Sequence, residues 1–316
     1  MLGGGMLPQI INEVEIRHFH LFCGLGGGAR GFNRGRAQVG NLRTKFRCIG
    51  GVDVDPAAIR DFQRLAGVRG TILDLFDRQQ YRDFHGVEPL SDWREATPED
   101  IRKAAGYEHP HIVFLSAPCK GFSGLLSESR SRSVKYQALN RLTLRGIWIM
   151  LEAFADDPPE LIVFENVPRI ATRGRHLLDQ IGELLRNYGY AVAETTHDCG
   201  EIGGLAQSRR RFLLVARHVA KVPAFLYEPP KRALRAVGDV LGRMPLPGDP
   251  TGGDSSGVVD QNNRVRMSGD GRCRNRYERI YSVVVGERRY EVTPHHGIFS
   301  MQLKSSPSVN HATLYS

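Results

Sequence analysis

The sequence lacks the features of membrane-bound and secreted proteins. No apolar run approaches the roughly 20 residues of a membrane-spanning helix, and the amino terminus shows no signal-peptide pattern. The five cysteines are odd in number and widely separated, without the paired spacing of a zinc site or a disulfide framework. These absences predict a soluble cytoplasmic protein with reduced thiols, no bound metal and no membrane partner.

Length and charge narrow the class of protein further. A chain of 316 residues can hold one large α/β domain and a smaller appended one. Its formal net charge of +9 at pH 7 favours a polyanionic partner, of which nucleic acid is the simplest.

A glycine-rich turn near the amino terminus indicates a nucleotide-type site. The sequence predicts a strand at residues 19–22, a turn at the glycine-rich residues 24–28 and a helix from Ala29. This order opens a Rossmann-like unit, in which missing β-carbons let a cofactor approach the backbone. An ordinary turn is the alternative, so the cluster alone decides nothing.

Two acidic residues follow the next predicted strands. Asp53 ends the strand at 48–52, and Asp74 follows the short strand at 71–73. Asp55 precedes a proline and is expected to cap the helix that begins there. Asp53 is therefore the residue that we expect to accept hydrogen bonds from ribose hydroxyls.

The most informative stretch surrounds Cys119. The apolar residues 112–115 predict a buried strand, and Cys119 lies just past its carboxyl end, where ligands bind in open α/β sheets. Pro118 fixes the backbone before the thiol, and Gly121 lets the chain turn away after it. The alternative is a buried cysteine with a packing role only, and side chains elsewhere in the sequence argue against it.

A carboxylate and two guanidinium groups are expected at the same edge of the sheet. Glu165 follows the apolar strand at 161–164, and Arg209 and Arg211 lie next to the strand at 212–215. A nucleophilic cysteine with an acid partner beside a nucleoside site indicates covalent catalysis on an electron-poor ring.

Four stretches together resemble the motifs of the DNA cytosine-5 methyltransferases of bacteria and phages. They are residues 22–27 for the cofactor loop, 118–123 for the nucleophile, 165–167 for the acid and 207–211 for the Gln-x-Arg-x-Arg motif. They occur in the family's order. The resemblance implies an α/β fold, a Rossmann-like S-adenosylmethionine-dependent methyltransferase sheet with helices on both faces.

The resemblance also implies a reaction. The chain would transfer a methyl group from S-adenosylmethionine to carbon 5 of cytosine in duplex DNA, with the target base flipped out of the helix. Cys119 would add to carbon 6 of the ring, and Glu165 would stabilise protonation at ring nitrogen 3. The other implied residues hold the base and the catalytic loop: Arg209, Arg211, Asn166, Gln207 and Ser123.

The cofactor residues are implied in the same way. Asp53 would bind the ribose and Asp74 the adenine amino group, with Asp77 as a fallback for Asp74. Val54 stands where the family often has an aromatic residue that stacks on adenine. The remaining implied cofactor residues are Phe22, Gly24 and Gly26 on the methionine and ribose side, together with Leu25 and Pro118.

The resemblance fades towards the carboxyl terminus. We expect a flexible lead-in at residues 1–17, a catalytic domain at 18–220, and a smaller irregular target-recognition region at 221–316. That region is expected to be partial or divergent, with a truncated chain as the alternative. The family's late Arg-Glu-rich motif and its final Gly-Asn-x-Val segment are not found there. Lys120 also replaces the glutamine that usually follows the Pro-Cys pair.

Two other functions stay open at this point. One is a catalytically impaired remnant that binds nucleic acid without turnover, and the other is an RNA cytosine-5 methyltransferase with the same chemistry. A nicotinamide-dependent dehydrogenase would leave Cys119 and Glu165 unexplained. The chain is expected to be a monomer, and a cognate restriction endonuclease is an open partner.

Overall fold

The computed structural model describes residues 12–118, 133–225, 227–241, 281–285, 288–295, 298–303 and 312–314. The chain divides into two compact units. The first comprises Met1–His197 and Arg210–Glu228, and the second comprises Asp198–Arg209 and Pro229–Ser316. The second unit therefore includes a segment from within the expected catalytic domain, and the boundary expected at residue 220 stays a prediction.

Strands and helices alternate through the first two thirds of the chain. The strands of the main sheet are β1 (Asn12–Leu21), β2 (Gln38–Val39), β3 (Leu42–Asp53), β4 (Gly70–Ile72), β5 (Ile112–Leu115), β6 (Leu161–Asn166), β7 (Tyr190–Asp198) and β8 (Arg210–His218). The helices are α1 (Gly27–Asn33), α2 (Pro56–Ala66), α3 (Arg78–His85), α4 (Pro98–Ala104), α5 (Val134–Ala153), α6 (Ile170–Arg173), α7 (Arg175–Asn187), α8 (Cys199–Gly203) and α9 (Val237–Leu241).

The main sheet is mixed and has the strand order β2-β3-β1-β5-β6-β8-β7, with β4 also paired to β3. Strands β3, β1, β5 and β6 run parallel, and β8 runs antiparallel to β6. Because β3 and β5 flank β1 on opposite sides, the strand order reverses at β1. In open α/β sheets such a switch point is where ligands bind.

Helices cover both faces of this sheet, as the sequence predicted. Along β1, Phe19 and Leu21 point to a large core that also contains residues of α4, α5 and α7. A smaller core on α1, α2 and β3 consists of Ala29, Cys48, Phe62 and Ala66. The α/β fold class is therefore confirmed.

The first strand begins earlier than expected. Residues 12–17, which the sequence analysis counted with a flexible lead-in, form the first half of β1 and pair with β3 from Asn12 opposite Leu42. The sequence did not indicate a strand here, because its side chains are mostly polar or charged. Cross-strand ion pairs replace apolar contacts, such as the one in which Arg47 Nε lies 2.9 Å from Glu15 Oε2.

The region expected to be irregular contains a second sheet. Strands β9 (Tyr281–Val285), β10 (Arg288–His295), β11 (Ile298–Leu303) and β12 (Ala312–Leu314) form a four-stranded sheet in the order β12-β11-β10-β9. Neighbouring strands in this sheet pair in antiparallel fashion. Two residues separate β9 from β10, and two separate β10 from β11, the shortest connections that hairpins commonly use. The expectation of an irregular region is therefore wrong for these residues.

Within the described part of the chain, no helix has both the length and the apolar character needed to cross a membrane.

A hydrogen-bonded histidine pair lies in the smaller core. Asn33 donates to the Ala66 carbonyl oxygen (2.9 Å), and its side-chain oxygen accepts from the Cys48 amide (3.0 Å) and faces His18 Nε2 (3.0 Å). His18 Nε2 must therefore carry the hydrogen, which leaves His18 Nδ1 to accept from His20 Nε2 at 2.8 Å. The network assigns one neutral tautomer to each imidazole.

Burial keeps both rings uncharged. His18 is 0% exposed and His20 is 1% exposed. Desolvation lowers the pKa of His18 to about 4, although its bond to Asn33 acts in the opposite direction. Desolvation, and then the neighbouring His18, lower the pKa of His20 to about 3. The Cys48 sulfur lies within 4.8 Å of the ligand atoms of both rings, but it already faces the Gly50 carbonyl oxygen at 3.6 Å. Three of the four ring nitrogens are thus hydrogen-bonded within the protein.

We expect this pair to make the protein sensitive to acid. The folded-state pKa of each histidine lies below the unfolded value of 6.5, so the stabilisation is complete above pH 6.5 and is lost as the pH falls towards 4. Between pH 7 and pH 5 the loss should be about 2 kcal/mol for each imidazole. Urea unfolding at the two pH values measures it.

The variant His20→Gln should reduce this pH dependence, because the amide can still donate to His18 but does not titrate. The exposed His176 on α7 provides the control, and His176→Gln should keep the wild-type dependence. Equal pH dependence of the wild type and His20→Gln would contradict the prediction.

Candidate active site

A cavity of about 520 Å³ opens at the carboxyl edge of the main sheet. Its walls come from the ends of β1, β3, β4, β5 and β6 and from α3 and α5. The lining residues are His20, Phe22, Cys23, Gly24, Gly28, Val52, Asp53, Val54, Leu73, Asp74, Leu75, Phe76, Phe84, His85, Phe114, Ser116, Pro118, Leu142 and Glu165. The size is within the roughly 300–1,000 Å³ of small-molecule sites.

The glycine-rich turn forms one wall. Gly24 and Gly26 have φ values of 50° and 88°, which glycine adopts without strain. A β-carbon on Gly26 would lie 3.0 Å from the Phe62 Cα, so the turn can pack against α2 only with glycine there. Gly24 and Phe22 line the cavity, whereas Gly26 and Leu25 are not among the lining residues. Gly26 therefore shapes the turn from outside the cavity.

Asp53 ties this turn to β3. Its Oδ2 accepts from the Gly24 amide at 2.9 Å, and its Oδ1 accepts from the Asp55 amide at 3.1 Å. Asp55 caps α2 by accepting from the Ala57 amide (2.8 Å), as predicted. Because a carboxylate has about four acceptor positions, Asp53 retains acceptor capacity towards the cavity. Val54 beside it is 61% exposed and offers only an aliphatic surface.

Asp74 lies at the next strand end and is also held in place. Its Oδ1 accepts from the Phe76 amide (3.0 Å), and its Oδ2 accepts from the Trp93 indole (3.2 Å). Asp77 instead caps α3, where it accepts from the Gln80 amide at 2.7 Å. Asp77 is not among the lining residues, so only Asp74 keeps the expected position.

An aromatic wall that the sequence did not predict lies next to Asp74. Phe76 and Phe84 lie 5.2 Å apart between ring centroids, and both line the cavity with His85. Lys135 places its ammonium group 4.7 Å from the Phe84 ring centroid. The mostly polar sequence of α3 gave no indication of a cavity wall, although Phe84 and His85 at the end of the helix are two consecutive ring side chains.

Glu165 lies at the opposite end of the cavity, with both carboxylate oxygens engaged. Arg211 Nε lies 2.6 Å from Oε1, and Ser116 Oγ donates to Oε2 at 2.7 Å. The exposed fractions of the Arg211 and Glu165 side chains are only 19% and 22%. The structure therefore joins Glu165 to Arg211, as the sequence indicated. The sequence analysis missed Ser116, although it directly follows the apolar run of β5.

The other predicted positioning residues are placed separately. Asn166 is buried, and its side-chain oxygen accepts from the Val167 amide at 2.8 Å. Gln207 and Arg209 belong to the second unit, where Asp198 accepts from the Arg209 amide at 3.0 Å. Their expected contacts with the base and the catalytic loop stay predictions.

Cys119 and Ser123 lie outside the described residues, so their roles also stay predictions. Pro118 is the last described residue before them, and it lines the same cavity as Glu165.

Two other thiols are unsuited to nucleophilic attack. Burial, followed by the charge of Asp53, raises the pKa of Cys23 to about 12. Burial raises the pKa of Cys48 to about 11. Because the thiolate is the nucleophile, neither cysteine supplies a reactive sulfur at neutral pH.

The fold and this cavity define an α/β protein with a cavity of small-molecule size at a topological switch point. The sequence also matches the family described as C-5 cytosine-specific DNA methylase over residues 16–279. The chain therefore belongs to this family.

Solved structures resemble the chain at low identity. The Entamoeba histolytica methyltransferase EhMeth is 15% identical, with a TM-score of 0.45, over 70% of this chain and 58% of that one. The S. pombe Dnmt2 methyltransferase is 17% identical, with a TM-score of 0.42, over 72% and 54%.

A candidate DNA modification methyltransferase encoded within an E. coli prophage is 17% identical, with a TM-score of 0.49, over 82% of this chain and 62% of that one. The chain thus spans 54% to 62% of the length of these three structures. No curated protein matches the chain.

We expect Cys23 and Cys48 to react slowly with iodoacetamide at pH 8. With pKa values of about 12 and 11, their thiolate populations should make alkylation at least about 100-fold slower than that of glutathione. Peptide mass spectrometry after timed labelling measures each rate. A rate for Cys23 or Cys48 close to that of glutathione would contradict the assignment, and urea-unfolded protein is the control in which both should react fast.

Proposed function

We propose that this protein transfers a methyl group from S-adenosylmethionine to carbon 5 of cytosine in duplex DNA through a covalent Cys119 adduct. The observation that carries the proposal is the half-buried contact of Arg211 with Glu165, which lines one cavity together with the glycine turn and Asp53. The membership of the cytosine-specific family supports the choice of base and of ring position.

The residues of the cavity fit S-adenosylmethionine. The glycine turn lets a ligand approach the backbone closely, and the Asp53 carboxylate can accept from ribose hydroxyls. Asp74 presents an acceptor beside the aromatic wall of Phe76 and Phe84, where a purine ring would find a stacking surface. When bound, the cofactor supplies an electrophilic methyl group to carbon 5.

The chain's own residues would make carbon 5 reactive. The Cys119 thiolate adds to carbon 6, which forms the carbon–sulfur bond and shifts the ring electrons towards carbon 5. Glu165 holds the proton at ring nitrogen 3 that neutralises this shift, and Arg211 keeps the carboxyl group in place. Removal of the carbon 5 proton after methylation then expels the thiolate and restores the ring.

Duplex DNA is the proposed substrate because of the family match and the net charge of +9. The target base would have to leave the stack to reach Glu165 inside the cavity, at a cost of a few kcal/mol. Transfer RNA remains the second candidate, because the same groups would act on cytosine in RNA. The monomeric state, the cytoplasmic location and a restriction partner stay predictions.

The proposal is tested by incubating the purified chain with tritiated S-adenosylmethionine and either mixed-sequence duplex DNA or transfer RNA. We expect label at carbon 5 of cytosine in the DNA. Label in transfer RNA alone would support the RNA alternative, and cofactor binding without any label would support the impaired remnant.

Cys119→Ser should abolish covalent trapping by DNA that contains 5-fluorocytosine, because a serine hydroxyl is a poor nucleophile. The control Cys199→Ser should retain trapping.

Asp53 should determine cofactor affinity in two ways, through the ribose and through the glycine turn that it holds. Asp53→Ala should weaken binding of S-adenosylhomocysteine about 10- to 100-fold, because a charged acceptor and its bond to Gly24 are both lost. Asp53→Asn should weaken binding less, since the amide oxygen can still accept from Gly24. Isothermal titration calorimetry measures both affinities. Asp61→Asn, on α2 and not among the lining residues, is the control, and an unchanged affinity of Asp53→Ala would refute the assignment.

A further inference from the structure

Ser116 occupies a fixed position beside Glu165, the predicted acid. It directly follows β5, lies three residues before Cys119 and lines the cavity. Its amide lies 3.4 Å from the Leu21 carbonyl oxygen at the end of β1, which anchors the backbone to the neighbouring strand. Ser116 therefore presents its hydroxyl from the sheet and not from a free loop.

This hydroxyl completes a two-sided clamp on Glu165. Ser116 Oγ donates to Oε2 at 2.7 Å, and Arg211 Nε lies 2.6 Å from Oε1. Each donor occupies one acceptor position on its own oxygen, so each carboxylate oxygen retains a second acceptor position for a ligand. Two donors on different oxygens define the plane of the carboxyl group, which a single donor does not.

Arg211 alone would leave the carboxyl group free to turn. The terminal torsion of glutamate joins an sp³ to an sp² carbon and has a broad, roughly two-fold energy profile. An arginine on one oxygen supplies charge, but rotation about that contact remains possible. The neutral hydroxyl of Ser116 adds the second point of attachment without a second charge.

We propose that Ser116 is a positioning residue for the methyl transfer, and that its hydroxyl sets the plane in which Glu165 meets the nitrogen edge of the target pyrimidine. This inference rests on the proposed function.

The test compares Ser116→Ala with Ser116→Thr and with Tyr190→Phe. Tyr190→Phe is a matched control, because it also deletes a hydroxyl that donates a hydrogen bond, here to the Pro159 carbonyl oxygen at 2.8 Å, and Tyr190 is not among the lining residues. For each protein we would measure kcat on cytosine-containing duplex DNA and the Kd for S-adenosylhomocysteine.

Ser116→Ala should lower kcat about 10- to 100-fold, because misplacement of a reacting group by about 1 Å costs roughly that much. The Kd for S-adenosylhomocysteine should stay within about twofold, since Ser116 holds the acid end of the cavity. Ser116→Thr should restore most of kcat, and Tyr190→Phe should keep the wild-type rate.

If the wild type methylates cytosine, two results would overturn the role of Ser116 and leave the proposed function standing. One is a Ser116→Ala rate within twofold of the wild type. The other is a loss of rate that appears together with an equal loss of cofactor affinity and is not restored by threonine, which would indicate collapse of the cavity. No methyl transfer by the wild type to DNA or transfer RNA would instead overturn the proposed function, and the role of Ser116 with it.

Discussion

The site depends on one constraint, the common direction of the parallel strands. Strands β1, β3, β5 and β6 run parallel, so their carboxyl ends meet at one edge of the sheet. A group of different chemistry lies at or just after the end of each strand: the glycine turn after β1, Asp53 on β3, Ser116 after β5 and Glu165 on β6. Because backbone hydrogen bonds fix the spacing between strands at about 4.8 Å, these groups lie around a single cavity.

Several polar groups at this edge hold the cavity as well as line it. Asp53 accepts from the glycine turn, and Asp74 accepts from Trp93, so the walls are in place through contacts within the protein. Such preorganisation reduces the ordering that a ligand has to bring about on binding. On the other side of the turn, the neutral pair His18 and His20 joins β1 to α1 through Asn33.

Sequence reasoning predicted the parts of the site in which an apolar run stops at a distinctive residue. Asp53 and Glu165 were found in this way, and both line the cavity. It missed Ser116, since a serine carries little signal until its partner on the neighbouring strand is known. It also missed Phe84, because α3 has a polar sequence and its aromatic residue faces inward only in the folded chain. Contacts across strands are tertiary, so local patterns leave them undetermined.

The antiparallel strand β8 explains why Arg211 reaches Glu165. Strand β6 ends at the edge of the sheet that carries the cavity, and β8 begins there, with Asn166 opposite Phe212 and Glu165 opposite Leu213. Arg211 is one residue nearer to the start of β8, so its side chain lies beside the last residues of β6. A parallel strand would have begun at the far edge of the sheet and carried Arg211 away from the carboxylate. The reversal of one strand therefore brings a cation from late in the sequence to an acid that the parallel part of the sheet presents.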